Sequence, residues 1–159
     1  MTDTVDQATR SKMMSRIRGK DTSPELLLRQ GLYRNGFRYR LHSAAIPGKP
    51  DIVLKKYRAL MFVNGCFWHG HECHLFKWPK TRPEFWKSKI LGNRERDARS
   101  LENCRNLGWR VLIVWECALK GKNRQAPEKV IELVSDWITG TQSYGEISGV
   151  LEVDANSSP

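Results

Sequence analysis

The stretch Gly65–His74, GCFWHGHECH, holds three of the chain's four histidines and two of its four cysteines. Structural zinc takes four nitrogen or sulfur donors in a tetrahedron. Cys66, His71 and Cys73 offer three of them within one loop, and the fold could bring a fourth from a distant segment. Cys117 follows directly on the apolar run Trp109–Trp115, which has the composition of a central buried strand. Cys104 competes for the same place, but it shares a helical face with Leu101 and reads better as a packed thiol. The spacing matches no common zinc finger, and two buried thiols beside a solvated histidine remain the plain alternative. Four protein ligands would close the site, so such an ion would shape the loop and leave the chemistry to other groups.

The rest of the chain supplies a frame for that loop. Thr22 with Glu25 three residues on has the form of a capping box, and Pro24 is tolerated in a first turn. The helix it opens is expected to run through Leu26, Leu28, Leu32 and Tyr33 and to stop near Gly36. Phe37–His42 alternates apolar and polar residues, as a strand does. Asp51–Leu54 and Ala59–Val63 form a hairpin across the polar link Lys55–Arg58. A second helix starts after Thr81, with Glu84 completing a capping box, and is expected to run to Gly108 with a break near Gly92. Pro127 opens a last helix with Val130, Ile131, Val134, Trp137 and Ile138 on one face. The order predicts an α/β fold with a central mixed sheet flanked by helices. Residues 1–20 form a basic arm, residues 21–140 the folded domain, and residues 141–159 an acidic, loosely ordered tail.

No segment approaches the length of a membrane span, and the N-terminus lacks the apolar run of a signal peptide. A cytoplasmic chain is expected, in which cysteines serve as metal ligands or core residues more often than as disulfides. The net charge of +10 comes from 27 Lys and Arg against 17 Asp and Glu. The basic residues gather in the N-terminal arm and from Lys77 to Arg110, on either side of the Cys/His loop. That distribution points to nucleic acid.

Pro50-Asp51 stands where a loop enters a strand, Val63 and Asn64 end the neighbouring strand, and His69 follows closely. Glu25 lies on the first helix. Carboxylates at a strand edge suit Mg²⁺, which prefers oxygen ligands and keeps several waters. A histidine beside them can take a proton near neutral pH.

Several segments together resemble the very-short-patch mismatch repair endonuclease (Vsr) family. They are RSKMMSRIRGKDTSPE, PGKPDIVL, VNGCFWHGHECHLFKWPKTRPEFWKSKI, NRERD and LGWRVLIVWECAL, within residues 9–138. The resemblance implies a restriction-endonuclease-like fold and a strand-specific nick 5′ to the T of T·G mismatches left by deamination of 5-methylcytosine. It implies that Asp51 holds a catalytic Mg²⁺ with the backbone carbonyl of Val63, and that His69 is the general base. It assigns Cys66, His71, Cys73 and Cys117 to a structural Zn²⁺, and gives Glu25 and Asp97 a supporting role around the metal-bound water. Phe67, Trp68 and Trp86 match wedges that enter the base stack, Met14 a residue pressing from the opposite groove, and Lys89 and Asn93 readers of the T·G pair. Two positions depart from the family pattern. Val63 replaces the usual threonine, which a carbonyl ligand tolerates, and Asn64 stands where histidine is common. Asn64 can hydrogen-bond a phosphate or a water but cannot carry a proton, and reads as a supporting residue.

The implied partner is double-stranded DNA carrying a T·G mismatch, bound by a monomer without any membrane contact. A functional link to a DNA cytosine-5 methyltransferase and contact with other mismatch-repair proteins follow from the same resemblance. Two other readings compete: a zinc-stabilised DNA-binding module without catalysis, and a restriction-type nuclease of the same fold with another target. The wedge aromatics favour the mismatch reading, because a restriction enzyme reads intact sequence from base edges.

Overall fold

The structure is a computed structural model that describes residues 22–150. The basic arm, Met14 and the last part of the acidic tail lie outside those residues. Helix α1 spans Ser23–Arg34 and turns Leu28 and Leu32, one helical turn apart, into the core. Thr22 is its N-cap residue but makes no side-chain cap bond. The capping box is therefore not formed: Glu25 points inward, 1% exposed, and accepts a hydrogen bond from Arg29 at 2.8 Å. The helix stops as expected at Gly36, whose φ of +89° lets Phe37 N–H reach the Leu32 carbonyl at 3.0 Å.

Strand β1 is only Arg40–Leu41, shorter than the alternation predicts. Phe37 packs inward edge-on to Tyr57, and His42 adopts a φ of +48°, which ends the pairing at Leu41. Strands β2 (Ile52–Leu54) and β3 (Ala59–Asn64) form the expected antiparallel hairpin, with Val53 opposite Leu60. Helix α2, Pro83–Asn106, crosses over to β4 (Arg110–Trp115), which runs parallel to β3. It passes Gly92 unbroken: a lone glycine costs a helix only ~1 kcal/mol, and buried Ile90 and Cys104 hold the helix on either side. Arg82 precedes it at a φ of +52° with no side-chain cap, so Glu84 closes no capping box either.

Helix α3, Pro127–Thr139, leads to a further parallel strand, β5 (Tyr144–Ile147). The loose tail predicted from Thr141 onward thus contributes a sheet edge. Charge and the lack of Lys or Arg made this stretch look solvated, but Tyr144 and Ile147 pack against opposite faces of the sheet. The sheet order is β1-β2-β3-β4-β5, the first three strands antiparallel and the last three parallel. Ile52, Leu54, Met61, Leu112 and Val114 face α1 and α3, while Val53, Leu60 and Val111 face α2. The central strands β2, β3 and β4 are covered on both sides, which is why their segments read as near-continuous apolar runs, whereas edge strand β1 is exposed.

Arg110 joins the layers. Its guanidinium donates to the carbonyls of Trp137 at 2.6 Å and Ile138 at 2.9 Å, in the last turn of α3, and to Gln142 at 2.9 Å. It also lies over the Trp137 ring, 4.4 Å from the centroid.

Candidate active site and metal centre

β3 and β4 run side by side with Asn64 opposite Trp115, and Cys66 and Cys117 each come two residues later. Parallel pairing therefore delivers both thiols to the same end of the sheet. The loop after Cys66 turns back at once, through His69 N–H to Gly65 O and His71 N–H to Cys66 O. Its turn uses Gly70 at a φ of +61°, with the Gly70 carbonyl accepting from Arg94. His71 Nδ1 lies 3.5 Å from Cys66 Sγ and 3.6 Å from Cys117 Sγ. An ion at zinc's usual distances to sulfur and nitrogen sets tetrahedral S···N edges of about 3.6 Å. With Cys73, one donor atom from each of the four residues falls within 4.8 Å of the others. The His71 ring stacks on Trp115 at 4.0 Å with planes 7° apart, which fixes its orientation.

Burial pushes the Cys66 and Cys117 thiols up and the His71 imidazole down. A cation would reverse the cost for the thiols, and Gly149 N–H already points at Cys117 Sγ, 3.3 Å away. These four residues could hold a zinc. Cys104 sits on the far side of the α2 core, its thiol directed at the Pro47 carbonyl.

Asp51 enters β2 beside the end of β3. Its Oδ2 accepts from Val63 N–H at 2.7 Å, and its own N–H donates to Met61 O. Burial lifts the Asp51 carboxyl to about 7; the Val63 N–H opposes this, and the nearby Glu25 charge adds to it. Glu25 and Asp51 are brought together by a residue that pattern reading treated only as a strand end. His42 places Nε2 3.4 Å from Glu25 Oε1 and Nδ1 3.8 Å from Asp51 Oδ1. The sequence signal for it was a lone histidine between two acidic residues whose spacing follows no known motif.

Asp51, Asn64, His69 and Asp97 line one cleft of about 310 Å³, together with Lys49 and Ser100, which sequence reasoning missed. His69 Nδ1 meets Asp97 Oδ2 at 2.5 Å. That contact leaves Nε2 as the ring nitrogen available for other chemistry. Asn64 is nearly buried, and the contact between Val63 and Asp51 is made by the Val63 N–H.

Beside the cleft, Phe67, Trp68 and Trp86 form a mutual cluster with centroids 5.2 to 6.0 Å apart. Phe76, tilted against Phe67, and Trp78 and Phe85, in T-shaped contacts with Phe76 and Trp86, extend it. All three rings of the central cluster are half-buried. Lys89 is exposed on α2. Asn93 donates to the Trp68 carbonyl at 2.8 Å and so holds the aromatic loop onto the helix.

The profile of the family described as "Vsr: DNA mismatch endonuclease Vsr" matches residues 2–75. A protein of Escherichia coli (strain K12) named DNA mismatch endonuclease Vsr is 47% identical over 147 residues, 92% of this chain and 94% of its own length. The chain belongs to the Vsr family. Its mixed five-stranded sheet with helices on both faces is the restriction-endonuclease-like fold of that family. Vsr relatives also include the type II nicking enzyme V.NmeAIP of Neisseria meningitidis serogroup A / serotype 4A (strain DSM 15465 / Z2491), 45% identical over 77% of this chain and 87% of its own. The type II nicking enzyme V.XorIIP of Xanthomonas oryzae pv. oryzae (strain KACC10331 / KXO85) is 44% identical over 75% of this chain and 88% of its own. Among the described residues no helix is long and apolar enough to cross a membrane.

Proposed function

We propose that the chain is a Mg²⁺-dependent DNA mismatch endonuclease that nicks one strand 5′ to the T of a T·G pair and so opens very-short-patch repair. The observation that carries this reading is a juxtaposition: Asp51 and His69 open on one cleft, and Phe67 and Trp68, just before His69 in the chain, belong to an aromatic cluster beside it. A mismatch is a poorly stacked step, and apolar wedges enter most cheaply where stacking is already weak.

Asp51 and the Val63 carbonyl would hold Mg²⁺, which when bound offsets charge on the phosphate and acidifies a water. Asp97 keeps the proton of His69 on Nδ1, so that Nε2 can accept the proton of the attacking water. Glu25 would support the metal-bound water beside Asp51, and Asn64 would hydrogen-bond a phosphate or a water in the cleft. Zn²⁺ on Cys66, His71, Cys73 and Cys117 would fix the loop that carries both the base and the wedge. Trp86 completes the wedge, Lys89 and Asn93 lie along the approach to the mismatched pair, and the basic arm of residues 1–20 brings Met14 to the opposite groove. The enzyme would work as a monomer in the cytoplasm on nucleoid DNA. Its T·G substrates would arise where a DNA cytosine-5 methyltransferase acts, and other mismatch-repair proteins would take up the nicked product.

Duplexes identical but for one T·G or C·G pair, labelled separately on each strand, test the reading. The expected result is a single Mg²⁺-dependent nick on the T strand of the T·G duplex. Tight binding without any nick would identify a DNA-binding module instead, and equal cutting of both duplexes would identify a nuclease with another target.

A further inference from the structure

The acidic site around Asp51 contains an imidazole. Each of its carboxylates has one oxygen clamped and the other turned toward the same ring. Asp51 Oδ2 takes the Val63 N–H, which directs Oδ1 to His42 Nδ1 at 3.8 Å. Glu25 Oε2 takes the Arg29 guanidinium, which directs Oε1 to His42 Nε2 at 3.4 Å. One donor atom from each of Glu25, His42 and Asp51 lies within 4.8 Å of the other two. Ligands sit roughly 2.0–2.6 Å from a divalent ion, so the three can close on one ion with small side-chain movements. His42 is placed for this by its own backbone: a φ of +48° ends β1 there, and its N–H donates to the Asp51 carbonyl at 3.1 Å.

We infer that His42 is a specificity-determining ligand of the Asp51 site, giving it a nitrogen donor and shifting its preference from Mg²⁺ toward Mn²⁺ and the later divalent ions. This rests on the reading of Asp51 as the holder of the catalytic ion. Mg²⁺ is a hard ion that favours oxygen, whereas imidazole raises affinity along the series from Mn²⁺ upward. Glu25 and Asp51 alone would make an all-oxygen site; His42 makes it a mixed one. Only one ring nitrogen can bind at a time, so the carboxylate facing the other nitrogen turns toward the ion as the three ligands close.

The experiment uses the full-length, zinc-loaded chain and Mn²⁺ as the probe, with no DNA and no turnover. Pulsed electron paramagnetic resonance of bound Mn²⁺ should show coupling to a directly ligated imidazole nitrogen. That coupling should vanish in His42→Gln. Mn²⁺ affinity should fall roughly tenfold in that variant, while Mg²⁺ affinity, read by displacement of Mn²⁺, should stay within about twofold, because an oxygen-preferring ion gains little from imidazole. A wild-type spectrum without nitrogen coupling overturns the inference, and does so even if the variant fails to fold. Unchanged Mn²⁺ affinity in folded His42→Gln overturns it too, and leaves His42 as a hydrogen-bond bridge between two carboxylates. Asp51→Ala separates the two layers. If it abolishes Mn²⁺ binding while His42→Gln does not weaken it, only the inference about His42 fails; if Asp51→Ala binds Mn²⁺ as before, the ion site itself has been misplaced.

Discussion

Asp51 carries a cost that a substitution can expose. Its carboxyl ionises near 7 in the folded chain, against an ordinary value of 3.8. A raised folded-state value means that the neutral form favours folding: this contribution is complete below 3.8 and is lost as pH climbs through about 7. Asp51→Asn keeps an acceptor for the Val63 N–H and never ionises. With zinc retained and no other divalent ion added, the variant should melt above wild type at pH 8 and at the same temperature near pH 4. Equal melting curves at pH 8 would show that Asp51 is solvated. Trp68 is the other decisive residue. Base–aromatic stacking contributes roughly 1–3 kcal/mol per base, so Trp68→Ala should lose about one to two orders of magnitude in T·G affinity. Binding to C·G duplexes at low salt should barely change, because phosphate contacts do not depend on stacking. Paired titrations measure the ratio; a wild-type ratio would make Trp68 a packing residue. At this scale the sequence was readable where side-chain chemistry is local, as in Cys66, His71 and Cys73. His42 was not, because its meaning depends on Glu25 and Asp51 arriving from a helix and a different strand.

Among the elements, the crossovers decide where chemistry sits. α3 and the segment leading into β5 are tied to β4 by Arg110, whose guanidinium donates to the carbonyls of Trp137, Ile138 and Gln142. A hydrogen bond to a charged group contributes about 1.5–3 kcal/mol, and a cation at a helix C-terminus adds to this. Arg110→Met, similar in length but without donors, should destabilise the fold by about 2–4 kcal/mol on the same basis. Denaturant titration measures it; a loss below ~0.5 kcal/mol would mean that water replaces the arginine. The apolar runs made β2, β3 and β4 legible, and the 3.6-residue period did the same for α3. β1 was over-read because alternation continues through Phe37 and Tyr39, while tertiary packing takes both rings out of the pairing. β5 was missed because a four-residue edge strand leaves too short a pattern, and because its partner β4 supplies the order that its own composition lacks.

For the molecule as a whole, the Cys/His centre joins the segment after β3 to the segment after β4. If it holds zinc, about one Zn²⁺ per chain should be found in freshly purified protein. Cys73→Ser or Cys117→Ser should lower both zinc content and the melting temperature, while Cys104→Ala should leave zinc content unchanged. Elemental analysis with calorimetry measures both, and zinc loss in Cys104→Ala would contradict the placement of that thiol on the α2 face. The distribution of charge was legible at this scale and set the expectation of nucleic acid, and so was Cys117 as the distant fourth donor; the parallel register is how the fold delivers it to Cys66.

That register also governs when the nuclease can come into being during synthesis. Cys66, Phe67, Trp68 and His69 leave the ribosome early, but Cys117 follows only after the whole α2 crossover and β4. Until then the loop lacks its fourth donor and its neighbouring strand. The nascent polypeptide therefore cannot bring the four donors together while most of its scaffold is still missing, so if the centre holds a metal, its capture would be a late checkpoint on a completed sheet.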